Sequence, residues 1–158
     1  MQGSPKVIEA LNDLLTLELT VVNQYFVHSR MCVNWGYGRI AGQQRAIAMD
    51  EMRDAEQIID RILFLDGVPN MQRLGSVTVG ETVSEQFQIA LEGEHRALEL
   101  LHSGIGIALE EGDSASREFF AGRLLEEEAH VDYAETQLGL IQRLGEANYL
   151  AQQMADPS

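Results

Sequence analysis

The sequence predicts an all-α protein: four long helices packed as a bundle, one long crossover between the second and the third, and a short fifth helix at the end. Three observations predict it. Apolar residues recur in alternating steps of four and three through four separate stretches, the spacing of helices crossing at shallow angles, and no stretch alternates as a strand would. Residues 67–82 carry one Pro, three Gly and two Thr without helical periodicity, and only there is a link long enough to run the length of a bundle. With 158 residues, 45% of them hydrophobic, the chain has the size of a single domain, taken as 1–158, with enough apolar surface for its own core.

Helix one is expected over about 5–34, with Ser4 as N-cap, Pro5 at the first helical position, and Gly36 and Gly38 stopping it. Its inner stripe reads Leu11, Leu15, Glu18, Val22, Tyr25. Helix two is expected over about 40–65, carrying Ile47, Glu51, Asp54, Ile58 and Leu65 on one side until Gly67-Val-Pro69 ends it. A short link makes it the antiparallel partner of helix one. After the crossover, the capping box Thr82-Val-Ser-Glu85 opens helix three, about 83–111, with the stripe Phe87, Leu91, Glu94, Leu98, Leu101, Ile105, Ala108. Gly93, Gly104 and Gly106 each cost this helix about 1 kcal/mol, which close packing at those positions would explain. Gly112-Asp-Ser114 turns the chain into helix four, about 115–144, with Phe120, Leu124, Glu127, Val131, Ala134, Leu138 and Ile141 facing inward. Gly145 closes it, and the fifth helix is expected over about 146–154. Helices this long span roughly 40 to 45 Å, a length typical of bundles.

Eleven basic against twenty-five acidic residues give a formal charge of −14, which repels nucleic acid and anionic membranes. No apolar run approaches the ~18 residues that span a bilayer, so the chain reads as cytoplasmic, with neither nucleic acid nor membrane as a partner. A single cysteine, Cys32, excludes an intrachain disulfide framework and reads as an inert apolar residue.

Acids stand where a core stripe should be apolar. Glu18 and Glu51 are separated by the same interval as Glu94 and Glu127, and each hairpin turn falls midway between its pair, so the partners face each other. Residues three apart share a helical face, so Asp54 joins Glu51 and His130 joins Glu127 at that level. Buried carboxylates cost several kcal/mol unless paired or bound to cations. Five carboxylates and one imidazole are hard donors suited to iron or manganese, and two bridged ions satisfy them economically. The pattern matches di-iron carboxylate bundles, in which two helices each give a Glu and the other two a Glu-x-x-His. His28, His95 and His102 lack such spacing and read as ordinary core or surface residues. Met52 projects about 100° away from Glu51 and forms, with Ile59 and Ile62, a second apolar stripe that another subunit could cover. Leu15, Val22, Leu91, Leu98, Leu124 and Val131 are expected to fill the space around the metal level, which argues against an oxygenase acting on an organic substrate.

Across nearly its whole length the chain resembles the bacterioferritins, the haem-carrying bacterial branch of the ferritins. The matching stretches are Lys6-Val-Ile, Asn23-Gln-Tyr-Phe26, His28-Ser-Arg-Met31, Asn34-Trp-Gly36, Asp50-Glu-Met52, Arg61-Ile-Leu-Phe-Leu65, Pro69-Asn70 and Leu138-Gly-Leu-Ile-Gln142. The resemblance implies a ferritin-like bundle and a hollow shell of 24 subunits. It implies ferroxidase activity, an oxidoreductase reaction in which Fe(II) becomes Fe(III) at a di-iron centre before storage as mineral. By position, Glu18, Glu51, Glu94, Glu127 and His130 correspond to the family's catalytic iron ligands, Met52 to the axial ligand of haem b at the subunit dimer interface, and Tyr25 to a tyrosine near the iron site. A ferredoxin is an implied partner for iron release. One departure stands out: Asp54 replaces the histidine of the second Glu-x-x-His. Asp54 can itself ligate iron, with a different reach and an added negative charge that could weaken turnover. The alternative reading is therefore a haem-binding subunit of a mixed shell, structural or electron-transferring, beside a second subunit type that oxidises iron.

Overall fold

A computed structural model describes residues 1–155; the last three residues of the expected domain lie outside them. The elements are α1 (Pro5–Trp35), α2 (Gly38–Phe64), α3 (Val83–Glu110), α4 (Ser114–Ala121), α5 (Leu124–Leu144) and α6 (Glu146–Ala151). No strand occurs among the described residues, and no helix there is long and apolar enough to cross a membrane. α1 packs along α2 and α3, α3 packs along α4 and α5, and residues 65–82 carry the chain between the hairpins.

Local chemistry accounts for the boundaries. Ser4 caps α1 by accepting the Lys6 N–H, with Pro5 in the first turn. Gly36 ends α1 in the left-handed conformation, φ 87°, where a Cβ is strained. Gly38, expected to help stop that helix, is instead the first residue of α2. Thr82 caps α3 through the Glu85 N–H, while the Glu85 carboxylate returns to the Glu81 N–H, one residue earlier than a standard capping box. Asp113 caps α4 and pairs with Arg61, tying the second hairpin to α2.

The expected single fourth helix is two. At Gly122 and Arg123 both residues keep right-handed backbone angles, but the Arg123 N–H bonds to Phe120, three residues back, so the ladder tightens and the rod kinks without reversing. The fifth helix is also shorter than the expected 146–154, ending at Ala151.

One end of the core is built from Leu11, Leu14, Leu15, Ile58, Ile62 and Phe120, and the other from Cys32, Ile40, Phe87 and Tyr149. Ile62 therefore belongs to the subunit's own interior and not to the outer stripe with Met52, because its side chain meets α1. Of the three α3 glycines, Gly104 is required by packing: a Cβ there would meet the Phe120 ring at 2.7 Å. Gly93 would meet Val21 at 3.1 Å, whereas Gly106 faces open space, so its expected close neighbour is missing. The crossover is tied to α1: Asn12 Oδ1 accepts the Asn70 N–H, Gln24 the Thr78 N–H, and buried His28 accepts the Gly80 N–H on Nε2 at 2.9 Å.

Candidate metal centre

Between the two core clusters the helical stripes turn acidic. α1 presents Glu18, α2 Glu51 and Asp54, α3 Glu94, and α5 Glu127 and His130, every one of them buried. One donor atom each from Glu51, Glu94, Glu127 and His130 falls within 4.8 Å of all the others. His130 Nδ1 lies 2.7 Å from Glu51 Oε1 and 3.8 Å from Glu94 Oε1. These contacts are not aligned as hydrogen bonds, and both Glu51 oxygens, both Glu127 oxygens, Glu94 Oε2 and His130 Nδ1 have no partner. Atoms of this kind are rarely left so in a native interior. Converging on one point, they form the shell a cation would complete.

Electrostatics say the same. Burial first, and then the neighbouring Glu51 carboxylate, push the Glu18 carboxyl well above its ordinary range. Burial likewise raises Glu127, reinforced by Glu51 and Glu94. Burial opposes charge on His130, but Glu51 and Glu94 outweigh it and push the imidazole up to about 11. Burial is the leading cause for the two carboxyls and the crowding of carboxylates adds to it, a combination that a bound divalent ion would relieve. Tyr25, the last residue of the α1 stripe, donates its hydroxyl to Glu94 Oε1 at 2.5 Å and so orients that carboxylate.

The six sequence-predicted donors do not all meet. Glu18 sits beside Glu51 outside the tight group of four. Asp54 is also outside it, facing Arg123: Asp54 Oδ1 and Arg123 Nε are 3.9 Å apart. Burial raises the Asp54 carboxyl to about 6, and the guanidinium works against that rise. Beyond His130, Asp50 and Glu126 form a second, more open group with the same imidazole. Met52 is 46% exposed over a groove of about 510 Å³ walled by Leu19, Ala55, Ile59 and Met71, with Arg53, Glu56 and Asp60 also lining it. Leu15 and Val22 are buried at the metal level, while Leu91, Leu98, Leu124 and Val131 are only partly so. His28 is a core acceptor, and His95 and His102 are exposed. Burial pushes the Cys32 thiol up to about 12, the state of an inert residue.

Arg123 and Gln57 were not singled out by the sequence. Arg123 stands one helical turn before Glu127 on the same face, so its spacing was a usable signal; what hid it was that a lone basic residue in an acidic helix reads as surface.

A Ferritin-like domain matches residues 8–144. Bacterioferritin BfrA of Mycobacterium tuberculosis is 48% identical over 157 residues, 99% of both chains, and bacterioferritin of Streptomyces coelicolor is 48% identical over 162 residues, 100% of this chain and 97% of the other. Among solved structures, Mycobacterium tuberculosis bacterioferritin BfrA superposes with a TM-score of 0.95 at 48% identity, covering 98% of each chain.

Proposed function

The chain belongs to the bacterioferritins, within the ferritin family, and on that premise we propose that it stores iron, taking Fe(II) into the buried acid–imidazole centre and oxidising it there to Fe(III). Copies of the chain assemble into a 24-subunit shell whose interior receives the product. The observation that carries this reading is the set of unpartnered buried oxygens of Glu51, Glu94 and Glu127 beside the unpartnered Nδ1 of His130. Two Fe(II) ions give up one electron each, and with two protons these would reduce one O₂ to H₂O₂ or one H₂O₂ to two waters. Fixed carboxylates favour the higher charge of the ferric ion, which is the protein's contribution to the electron transfer. By family resemblance, Glu51 and Glu127 would be shared between the two ions, and Glu18, Glu94 and His130 would each hold one of them. Asp50 and Glu126 extend the acidic surface outward past His130 and support passage of iron from the centre.

Haem b is the second cofactor in this reading. Met52 would supply its axial thioether and the apolar walls Leu19, Ala55 and Ile59 would cover the macrocycle, with a symmetry-related subunit presenting the same face. A ferredoxin is the proposed partner for reductive release, and the cytoplasm the proposed compartment.

Asp54 favours a second reading. Turned toward Arg123, it weakens the position that a histidine would hold, as expected of a haem-bearing subunit in a mixed shell whose other subunit type oxidises iron. Stopped-flow Fe(II) oxidation by the purified homomeric shell, beside Asp54→His, separates the two. Comparable fast oxidation by both shells supports the ferroxidase; slow oxidation restored tenfold or more by histidine supports the mixed shell.

A further inference from the structure

The centre described above has a cation of its own. Arg123 is buried, 8% exposed, and three contacts immobilise its guanidinium: Nη1 donates to the Phe119 carbonyl at 2.7 Å, Nη2 donates to Gln57 Oε1 at 2.7 Å, and the plane lies over the Phe119 ring, 3.5 Å from its centroid. Only Nε remains. It is buried without a hydrogen bond, and the charged group facing it is Asp54, 3.9 Å away. The clamp is set by local structure, since the helix break at Gly122 precedes Arg123 directly and Phe119 lies on the other side of that break.

We infer that Arg123 is a positioning residue that holds Asp54 at the rim and so makes the two metal positions unequal. This rests on the iron-centre reading above. One ion would be held by Glu94, Glu127, His130 and Glu51, whose donor atoms already lie within 4.8 Å of one another. The other would be left with the carboxylates of Glu18, Glu51 and Glu127. Were Asp54 to swing inward as a ligand, the guanidinium, held by Phe119 and Gln57, could not follow, and its buried Nε would lose its ion-pair partner, with Glu18, Glu126 and Glu127 left as more distant anions. The same fixed charge cancels the negative charge that aspartate adds where the family pattern has a neutral imidazole. Charge balance is kept while a ligand is lost.

The test is Co²⁺ binding to the metal-free homomeric shell, followed by visible d–d absorption and by titration calorimetry. The native shell is expected to show two classes of site per subunit, the second at least tenfold weaker. Asp54→Asn should leave the second class within threefold of native, because the carboxylate is not a ligand. Arg123→Gln should tighten it at least tenfold by freeing Asp54, and the gain should vanish in the double variant. Two equal classes in the native shell, or a tenfold loss in Asp54→Asn alone, overturn the inference, and that variant is a near-isosteric change that does not depend on Arg123→Gln assembling. Absence of the tight class from the native shell would instead sink the iron-centre reading itself.

Discussion

Glu127 is a carboxyl group with both oxygens buried and no partner in the protein. Its acidity is weakened by burial and by Glu51 and Glu94, so in the metal-free protein it holds a hydrogen that the unfolded chain would release. The folded state thus binds more hydrogen ions than the unfolded state above the ordinary carboxyl range, and stability contributed by this group falls as pH rises from about 4.5. Glu127→Gln, neutral at every pH, should leave metal-free stability near native at pH 5 and raise it by about 1–3 kcal/mol at pH 8, while abolishing the tight metal site. Urea unfolding in chelator at the two pH values checks this; a stability gap that narrows as pH rises would refute it. The donors at this scale were legible because an acid on a core stripe contradicts its own periodicity. The Asp54–Arg123 pairing was not, since it depends on how far α5 slides along α2, and that offset is set by a crossover without periodicity.

At the scale of the helix, small residues record where rods touch. Gly104 lets Phe120 of α4 lie against α3, and Gly106, two residues on, faces nothing. Gly104→Ala should therefore cost about 1–3 kcal/mol through forced displacement of the ring, whereas Gly106→Ala should stabilise by about 0.5–1 kcal/mol through helix propensity. Thermal unfolding of the two variants checks the contrast, and destabilisation by both would mean that the α3–α4 contact is misjudged. Periodicity revealed the long helices, and glycine marked both hairpin turns, Gly36 in the first and Gly112 before the Asp113 cap in the second. It passed over the kink in the fourth because Gly122 keeps right-handed backbone angles and interrupts no apolar step. A tightened turn of that kind leaves no mark on the stripe.

The whole molecule leaves apolar surface unclaimed. Phe26, Met52, Leu63, Phe64, Val68, Leu74, Val77 and Val79 are exposed on the single chain, more than a lone subunit needs. The spacing of Met52 and Ile59 marked a stripe that another subunit could cover, but which partner would cover it was legible only through family resemblance. Met52 is the useful probe of that surface. Met52→Leu keeps the apolar area and removes the sulfur, so the assembled shell should lose its haem absorption while retaining Fe(II) oxidation within about twofold, for the groove opens away from the iron ligands. Size-exclusion chromatography with visible spectra checks both halves, and retained haem bands would remove Met52 from the role. The crossover lies on this outer surface and carries a further consequence. His28 holds it by a lone pair, and burial lowers that imidazole to about 4. Below that pH the acceptor becomes a donor facing the Gly80 N–H, so strong acid unfastens this end of the strap while the Asn12 and Gln24 ties, which do not titrate, keep the rest of it on α1.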